Sequence, residues 1–519
     1  MKIISGTQMR TLDQRTITEK GIPGELLMER AGILAGKALK KWALRCQKEF
    51  ELEDVPRIIF LAGKGNNGGD AFVAAKFLYE QGMKIFLYCI GDPARIKGDA
   101  LTHFNRMPSC LQEMAGTEVP EEIFSPGNIL VDSLLGTGFS GSLRTEYAAV
   151  CRRINSSGAW VVSMDIPSGL NADSGEADPD AVCAHLTLSM AFPKKGMFSP
   201  QGIRLTGSLQ ILDIGIDHAL AENLEQTLEC TTVCEAASLL KKESFDTHKN
   251  LRGHVFVFGG SHLYSGAVLL CAESALRSGA GLVSCFIPEG MNGFGTVPKA
   301  LMMRVLPSPD GFLQGDLPRD PDPGKADSLA VGPGMGGSAS SVPFLGKLLS
   351  LEKPLILDAD GLNLLSSHSV LQEILLSRKT PAVLTPHPGE MKRLLQTFAP
   401  GKIFTSRQEQ ALFLAGVTHS IVVLKGARSI VASPDGRSAF NISGSPVLAT
   451  AGSGDVLCGI LAALTADRGR ELFDSVRLGV FLHGLCGENA SADGQDFLIA
   501  DELTCRIGNA LKQIRLGQL

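Results

Sequence analysis

Two segments hold the densest concentration of groups able to do chemistry. In AGKGNNGGD (62–70) the spacing Gly63-x-Gly65-x-x-Gly68 lets backbone N–H groups approach a pyrophosphate at a helix start. A tight structural turn would use the same glycines, but the segment also carries Asn66, Asn67, Gly69 and Asp70. Amides and a carboxylate are costly to bury unless they bind something. In ATAGSGDVLCGILAAL (449–464), small residues lead through Gly452-Ser453-Gly454-Asp455 into an apolar helix. Consecutive N–H groups there can form an anion nest. Asp455 beside it would either cap the helix, worth about 0.5–2 kcal/mol, or take the proton from a hydroxyl attacking a phosphate. A base in that position contributes roughly 10²–10⁴-fold.

Other clusters sit at the ends of apolar runs. VDSLLGTGFSG (131–141) offers Asp132 and then Gly136, Thr137, Gly138 and Ser140 as a second anion-cradling loop. MDIPSGL (164–170) places Asp165 at a strand end and Ser168 in the turn after it. Ligands of open α/β sheets bind beyond the carboxyl ends of strands, so three such clusters in one half are expected to converge. In the second half, GPGMG (332–336) suits backbone approach to a ligand, and His387 is held between two prolines. Asp358 and Asp360 would orient Asn363 or a hydrated magnesium, or merely cap the next helix. His248, His254, His262 and His483 show no ligand spacing and read as structural.

The elements that must position these groups alternate along the chain. Helices are expected at 7–19 and 23–46, then a strand at 57–63 and a helix at 71–82, with further strands at 84–91, 128–136, 159–167, 185–192 and 208–215. The pattern lapses into polar, mixed-charge sequence over 217–250, placing the domain change near residue 225. A second series has strands at 254–260, 282–288, 328–334, 354–360, 381–387 and 420–426, a hairpin turning at Asp435-Gly436, and three closing helices. This is the signature of α/β structure with mostly parallel sheets, in two domains, 1–225 and 226–519.

Composition narrows the partners. The 519 residues contain 49 Lys plus Arg and 54 Asp plus Glu, a net charge of −5, so no basic field holds nucleic acid. Glycine, 58 residues or about 11% against roughly 7% on average, suits loops that bring backbone to a ligand. Twelve scattered cysteines without a CxxC pair imply a reducing compartment rather than a zinc site. With no apolar h-region at the N-terminus and no unbroken apolar span, a cytoplasmic location without membrane contact is expected.

AGKGNNGGD, VDSLLGTG and MDIPSGL, in this order, resemble the epimerase domain of NAD(P)H-hydrate repair enzymes over roughly residues 1–220. The resemblance implies a Rossmann-like α/β/α sandwich in which residues 66–70 and 136–142, with Asp165, hold the hydrated dinucleotide. It also implies potassium bound by Asn67, Asp132 and Ser168, whose hard oxygen donors suit that cation. Epimerisation requires the ring hydroxyl to leave and return on the other face; Asp165 is the acid/base candidate, with Lys194 as electrostatic partner.

AGSGD resembles the anion-hole signature of the ribokinase-like superfamily. Together with HVFVFGGSHLYSGAV, GPGMG, LDADGLN, TPHPGEM and VLKG, it resembles the ADP- or ATP-dependent NAD(P)H-hydrate dehydratase domain over about 230–519. That implies substrate contacts from Ala267, Gly334, His387 and Asp455, and nucleotide contacts from Lys425, Gly426, Ala427, Arg428, Ser429 and Gly454. Magnesium would accompany the nucleotide. Fusion of the two domains implies ADP as donor, giving AMP and phosphate, and a homo-oligomer is reasonable. Val447-Leu448 after Pro446, and Asn250, depart from the family pattern without removing a residue given a chemical role. The rival readings are a small-molecule kinase using the same Asp455, a nicotinamide oxidoreductase with Asp92 on the ribose, and a non-catalytic nucleotide sensor.

Overall fold

Long apolar runs become parallel strands here because helices cover both faces of each sheet. The computed structural model describes the chain except residues 110, 112–118, 226–227, 243, 292–296, 468 and 518–519. It divides into two units, Met1–Glu229 and Cys230–Leu519.

The first unit opens with β1 (Lys2–Ile3), α1 (Gly6–Lys20) and α2 (Gly24–Glu49). Ser5 caps α1, accepting from the Gln8 N–H at 3.0 Å while the Gln8 side chain accepts from the Ser5 N–H. Then come β2 (Ile58–Ala62), α3 (Asn66–Glu80), β3 (Ile85–Cys89), β4 (Ile129–Ser133), β5 (Trp160–Met164), β6 (Leu186–Met190) and β7 (Ser208–Leu212). Among the described residues, β2 to β7 form one sheet in the order β3-β2-β4-β5-β6-β7, every pairing parallel. β2 and β4 are buried along their whole lengths. The order reverses between them, and such a switch point opens a crevice at the strands' carboxyl ends. The helix expected at 71–82 starts five residues earlier, at Asn66, so the polar residues of the glycine-rich loop form its first turn.

β8 (Leu228–Thr231) pairs through Leu228 and Glu229 with β1 in the first unit, and its last two residues belong to the second. There follow β9 (His254–Phe258), α4 (Gly266–Arg277), β10 (Leu282–Pro288), β11 (Met302–Leu306), β12 (Ser328–Val331), β13 (Leu355–Leu357) and β14 (Val383–Leu384). After α5 (Pro388–Phe398) come β15 (Ile421–Leu424), β16 (Ile430–Ala432) and β17 (Ser438–Asn441). Of the helices that close the chain, α6 (Ser453–Thr465) and α7 (Leu472–Ala492) bear on the site.

The sheet runs β17-β16-β15-β14-β13-β12-β9-β10-β11. It is parallel from β15 to β11, and β16 and β17 make the antiparallel hairpin expected around Asp435-Gly436. The switch point lies between β9 and β12. β11 is an edge strand that the sequence pattern did not announce; half-exposed on one side, it lacks the apolar run of its buried neighbours. Among the described residues no helix is long and apolar enough to cross a membrane.

Candidate functional sites

In the first unit the switch point is built from close backbone contacts. A Cβ on Gly63 would lie 1.9 Å from the Leu134 carbonyl oxygen, and one on Gly68 would lie 1.9 Å from that of Gly63. These two glycines lock α3 against β2 and β4. Gly65, by contrast, faces open space. The first intrahelical bond runs from Gly69 N–H to Gly65 carbonyl, 3.0 Å, so the N–H groups of Asn66, Asn67 and Gly68 precede it and stand free of the helix ladder.

Asp132, at the end of β4, is fully buried. It accepts from Ser163 Oγ (2.9 Å), Ser168 N–H (2.9 Å), Ser168 Oγ (2.6 Å) and Leu134 N–H (3.3 Å). Burial still holds its pKa above the ordinary carboxylate value, against those bonds. Asn67 Nδ2 donates to the Leu135 carbonyl at 2.8 Å, while the buried Asn67 Oδ1 has no partner among the described residues. An orphaned amide oxygen beside a buried carboxylate and the Ser168 hydroxyl is a donor set that fits a hard monovalent cation.

Asp165 follows β5 with φ 62°, an uncommon backbone state for a residue with a side chain and one that recurs at functional sites. Its Oδ1 accepts from Met190 N–H at 3.1 Å and from Lys194 Nζ. Lys194, expected only as an electrostatic partner, is completely buried; its remaining donors go to Ser189 Oγ (3.1 Å) and the Met190 carbonyl (3.0 Å). Asp70 is pushed well above the usual carboxylate range by burial and then by Asp165 and Asp13. Asp13, on α1, is raised to about 6 by burial, against the pull of Lys194 and with a smaller push from Asp165.

The sequence reading passed over Asp13. Its signal was there: Met9, Asp13 and Thr16 follow the three-and-four spacing of one helix face, an acid on an otherwise buried stripe. The loop 136–142 is half-buried at Gly136, Thr137 and Phe139, and exposed at Gly138, Ser140, Gly141 and Ser142. A cavity of about 430 Å³ is lined by Gly141, Ser142, Asn171 and Asp178. A second one, about 590 Å³, is lined by Asp92, Glu146 and Arg153 and holds none of the carboxylates described above. Asp92 itself caps a short turn, accepting from Ala94 N–H at 3.0 Å.

The second unit gathers carboxylates around one lysine. Lys425 Nζ donates to Asp358 Oδ1 at 2.7 Å and lies 3.9 Å from Glu390. Burial pulls the lysine pKa down, but Asp358 and Glu390 outweigh it and hold the ammonium above its ordinary value. Asp358 thus pairs with Lys425, while Asp360 accepts from Gly336 N–H (2.9 Å) and from Asn363 (3.4 Å), fixing the GPGMG turn. Between them Ala359 has φ 48°. Glu390 is raised to about 7 by burial, against the pull of Lys425. It accepts from His387 N–H at 2.8 Å. His387 caps α5 with Nδ1 accepting from Gly389 N–H (2.9 Å), and burial followed by Lys425 and Arg393 keeps the imidazole below its ordinary pKa.

α6 starts at this cluster. Gly452 takes φ 86°, and a Cβ on Gly454 would lie 3.4 Å from Lys425 Nζ and 3.8 Å from Asp358 Oδ2, so the nest faces the ion pair. Asp455 is raised to about 7 by burial, then by Asp358, with Lys425 opposing. His483, read as structural, reaches Ser453 from α7: its Nε2 lies 2.9 Å from the Ser453 carbonyl. Burial lowers its pKa to about 4, so it serves as a neutral brace of the nest. Ala267 and Gly334 are neighbours, since a Cβ on Gly334 would sit 3.2 Å from that of Ala267.

Of the expected nucleotide-binding run, Arg407 ties down the backbone by donating to the Ala427 (2.7 Å) and Lys425 (3.1 Å) carbonyls, and Ser429 Oγ donates to Gly426. Arg428 turns its buried guanidinium inward onto the Ile442 carbonyl, leaving its main chain, at φ 53°, to line the loop. Among the described residues no three His, Cys, Asp or Glu side chains form a metal-holding group.

Two parallel-sheet units, each with a glycine-opened helix start and a buried acid–lysine pair, define a two-domain α/β protein. Residues 255–509 match the family model described as NAD(P)H-hydrate dehydratase, and residues 24–196 match that of the YjeF-related protein N-terminus. The chain is 35% identical over 516 residues to the bifunctional NAD(P)H-hydrate repair enzyme Nnr of Moorella thermoacetica, covering 97% of this chain and 95% of that one. To the protein of the same name from Thermofilum pendens it is 34% identical, covering 99% and 97%. It therefore belongs to the family of bifunctional NAD(P)H-hydrate repair enzymes. The ADP/ATP-dependent NAD(P)H-hydrate dehydratase of Bacillus subtilis, crystallised with ATP and Mg²⁺, is 25% identical with a TM-score of 0.46, covering 55% of this chain and 99% of that one.

Proposed function

We propose that this chain repairs hydrated nicotinamide cofactors: the first unit interconverts the R and S hydrates of NADH or NADPH, and the second dehydrates the S form at the expense of ADP. The observation that carries the second activity is Asp455, a carboxyl raised to about 7 at the mouth of an anion nest that faces Lys425. A base poised near neutral pH takes the ring hydroxyl proton effectively. The hydroxyl oxygen attacks the terminal phosphorus of ADP, AMP departs, and the phosphorylated oxygen then leaves as phosphate. The nicotinamide nitrogen lone pair drives that departure, and loss of a proton from the neighbouring carbon restores the reduced ring. The N–H groups of Gly454 and Asp455, which precede the first helical bond from Val456 N–H to the Gly452 carbonyl, and the Lys425 ammonium stabilise charge on the group in transfer.

Magnesium bound with the nucleotide would supply further charge neutralisation on the phosphates, in keeping with its habit of relying on substrate oxygens. In the first unit, the free N–H groups of residues 66–68 and the 136–142 loop hold the dinucleotide, and Asn67, Asp132 and Ser168 would hold potassium. Asp165, anchored through Oδ1, keeps Oδ2 for proton transfer at the hydroxylated carbon. None of the eleven described cysteines is in a disulfide, which suits a reducing, cytoplasmic setting.

The test is to incubate the full chain with mixed R and S NADH hydrate, magnesium, potassium and ADP, with ATP in parallel, following the near-ultraviolet absorbance of NADH. Complete recovery from both epimers with ADP is expected. Recovery of the S fraction alone, beyond spontaneous epimerisation, would remove the first unit's activity from the proposal. No recovery with either nucleotide would favour a small-molecule kinase built on Asp455.

A further inference from the structure

The epimerase site contains more proton-carrying groups than one acid/base residue requires, and their arrangement divides the labour. Four ionisable side chains meet there from four separate stretches of chain: Asp13 from α1, Asp70 from α3, Asp165 after β5 and Lys194 after β6. The amino-terminal segment is stitched to the lysine loop. Ile4 bridges Lys194, with Ile4 N–H to Pro193 carbonyl at 3.0 Å and Lys195 N–H to Ile4 carbonyl at 2.9 Å. α1 begins two residues later, and a Cβ on Gly6 would lie 3.1 Å from the carbonyl oxygen of Thr137, in the loop expected to hold substrate. The helix therefore runs along the site, with Asp13 two turns in on the stripe that includes Met9 and Thr16.

The lysine cannot satisfy all three acids. An ammonium has three protons, and those of Lys194 are taken by Asp165 Oδ1, Ser189 Oγ and the Met190 carbonyl. Asp165 is thus the carboxylate that owns the positive charge. Asp13 and Asp70 share the site without a direct bond to it, and like charges at close quarters favour keeping a proton among them.

We propose that Asp13 is the second proton carrier of the epimerase, working opposite Asp165. This rests on the epimerase reading above. In one direction Asp13 gives its proton to the departing hydroxyl as the carbon–oxygen bond breaks, and water is released while the ring nitrogen lone pair forms the carbon–nitrogen double bond. A water molecule then adds to the other face of that carbon, forming the new carbon–oxygen bond and passing its proton to Asp165. The reverse epimerisation starts from protonated Asp165 and ionised Asp13, so one proton serves both directions. Asp70, held well above the carboxylate range, keeps its own proton throughout.

The test compares the full-length wild type with Asp13→Asn and Asp13→Glu in epimerisation of purified R hydrate without nucleotide, across pH 5 to 9, with the spontaneous rate subtracted. Charges facing Asp13 are Lys194, Asp165 and Asp70, and its carboxyl sits at about 6. The wild-type kcat/KM should fall tenfold per pH unit once Asp13 loses its proton. Asp13→Asn should lose that limb and about 10²–10⁴-fold in kcat, with its melting transition retained. Asp13→Glu, which keeps a carboxyl, should retain the limb and recover part of the rate. Oxygen-18 from labelled water should enter the product at the epimerisation rate in every active variant.

Asp13→Asn epimerising with the wild-type limb and a kcat within about threefold would overturn the assignment. So would loss of the limb in Asp70→Asn instead. A wild type that does not epimerise at all would overturn the epimerase reading itself, and this inference with it.

Discussion

The two sites use the same fold device for opposite electrostatic ends. Each lies at the switch point of a parallel sheet, beside a helix start that glycine keeps open, with a lysine, fully buried in the first unit and largely so in the second, gripping one aspartate. In the second unit the lysine belongs to a carboxylate, Asp358, that crowds Asp455, the proposed base, and Asp455 is lifted to about 7. In the first unit the lysine grips Asp165, the proposed proton acceptor, and it is the neighbouring acids that are lifted, Asp13, its proposed donor counterpart, and Asp70. What differs is which carboxylate the single cation touches, and that choice sorts acids from bases.

The largest expected effect follows from the second unit. Asp455→Asn should cut dehydration of the S hydrate by about 10²–10⁴-fold in kcat, measured by NADH absorbance, because amide replaces base without changing shape. A loss below tenfold would leave the cap reading of Asp455 standing.

Next comes the satisfied carboxylate of the first unit. Asp132→Asn turns an NH₂ toward groups that already donate, Ser168 and Ser163 or Leu134. It should cost about 1–3 kcal/mol of stability and make epimerisation indifferent to potassium, read by thermal melting and a potassium titration. Retained potassium dependence would separate the cation from Asn67, Asp132 and Ser168.

A third expectation concerns pH. Asp455 acts deprotonated, so dehydration kcat/KM should fall tenfold per unit as pH drops below about 7. Lys425→Met removes the charge that opposes the rise and should move that limb about one unit upward. A limb that does not move would show that Lys425 does not act on Asp455.

The smallest effects concern stability. The pKa of folded Asp455 lies above its ordinary 3.8, so the folded state holds the extra proton between pH 3.8 and about 7, and stability falls as pH rises through that window. Asp455→Asn removes this penalty and should stabilise the second unit by about 2 kcal/mol at pH 8, seen in melting curves. In the first unit, Gly65→Ala should change stability by less than about 0.5 kcal/mol, since nothing lies within 4 Å of the new methyl group. Gly63→Ala drives a methyl into the Leu134 carbonyl and should be far more damaging. Equal melting points for the two would refute the division of these glycines into packing and ligand-facing positions.

The runs of buried β-branched residues and the glycine-rich turns between them carried the fold into the sequence, because a parallel sheet covered on both faces demands long apolar strands. Asp132, Asp165, Asn67, Ser168, His387 and Asp455 were legible for the same reason: each stands at or near a strand or helix end, where ligands collect. β11 was not, since a half-exposed edge has no continuous apolar signal. Asp13 and Arg407 were missed because each acts on a partner far away in the chain, whereas His483, read as structural, is a neutral brace of Ser453.

The sequence by itself announced the buried strands, the succession of two α/β series and the loops that could cradle a phosphate, since periodicity and glycine placement are local properties. Only the tertiary structure decided that Lys194 grips Asp165, that Lys425 grips Asp358, and that Asp13 comes together with Asp165 and Asp70. The physical reason is that a charge's state depends on burial and on neighbours brought in from distant segments, and neither is written in the spacing of nearby residues.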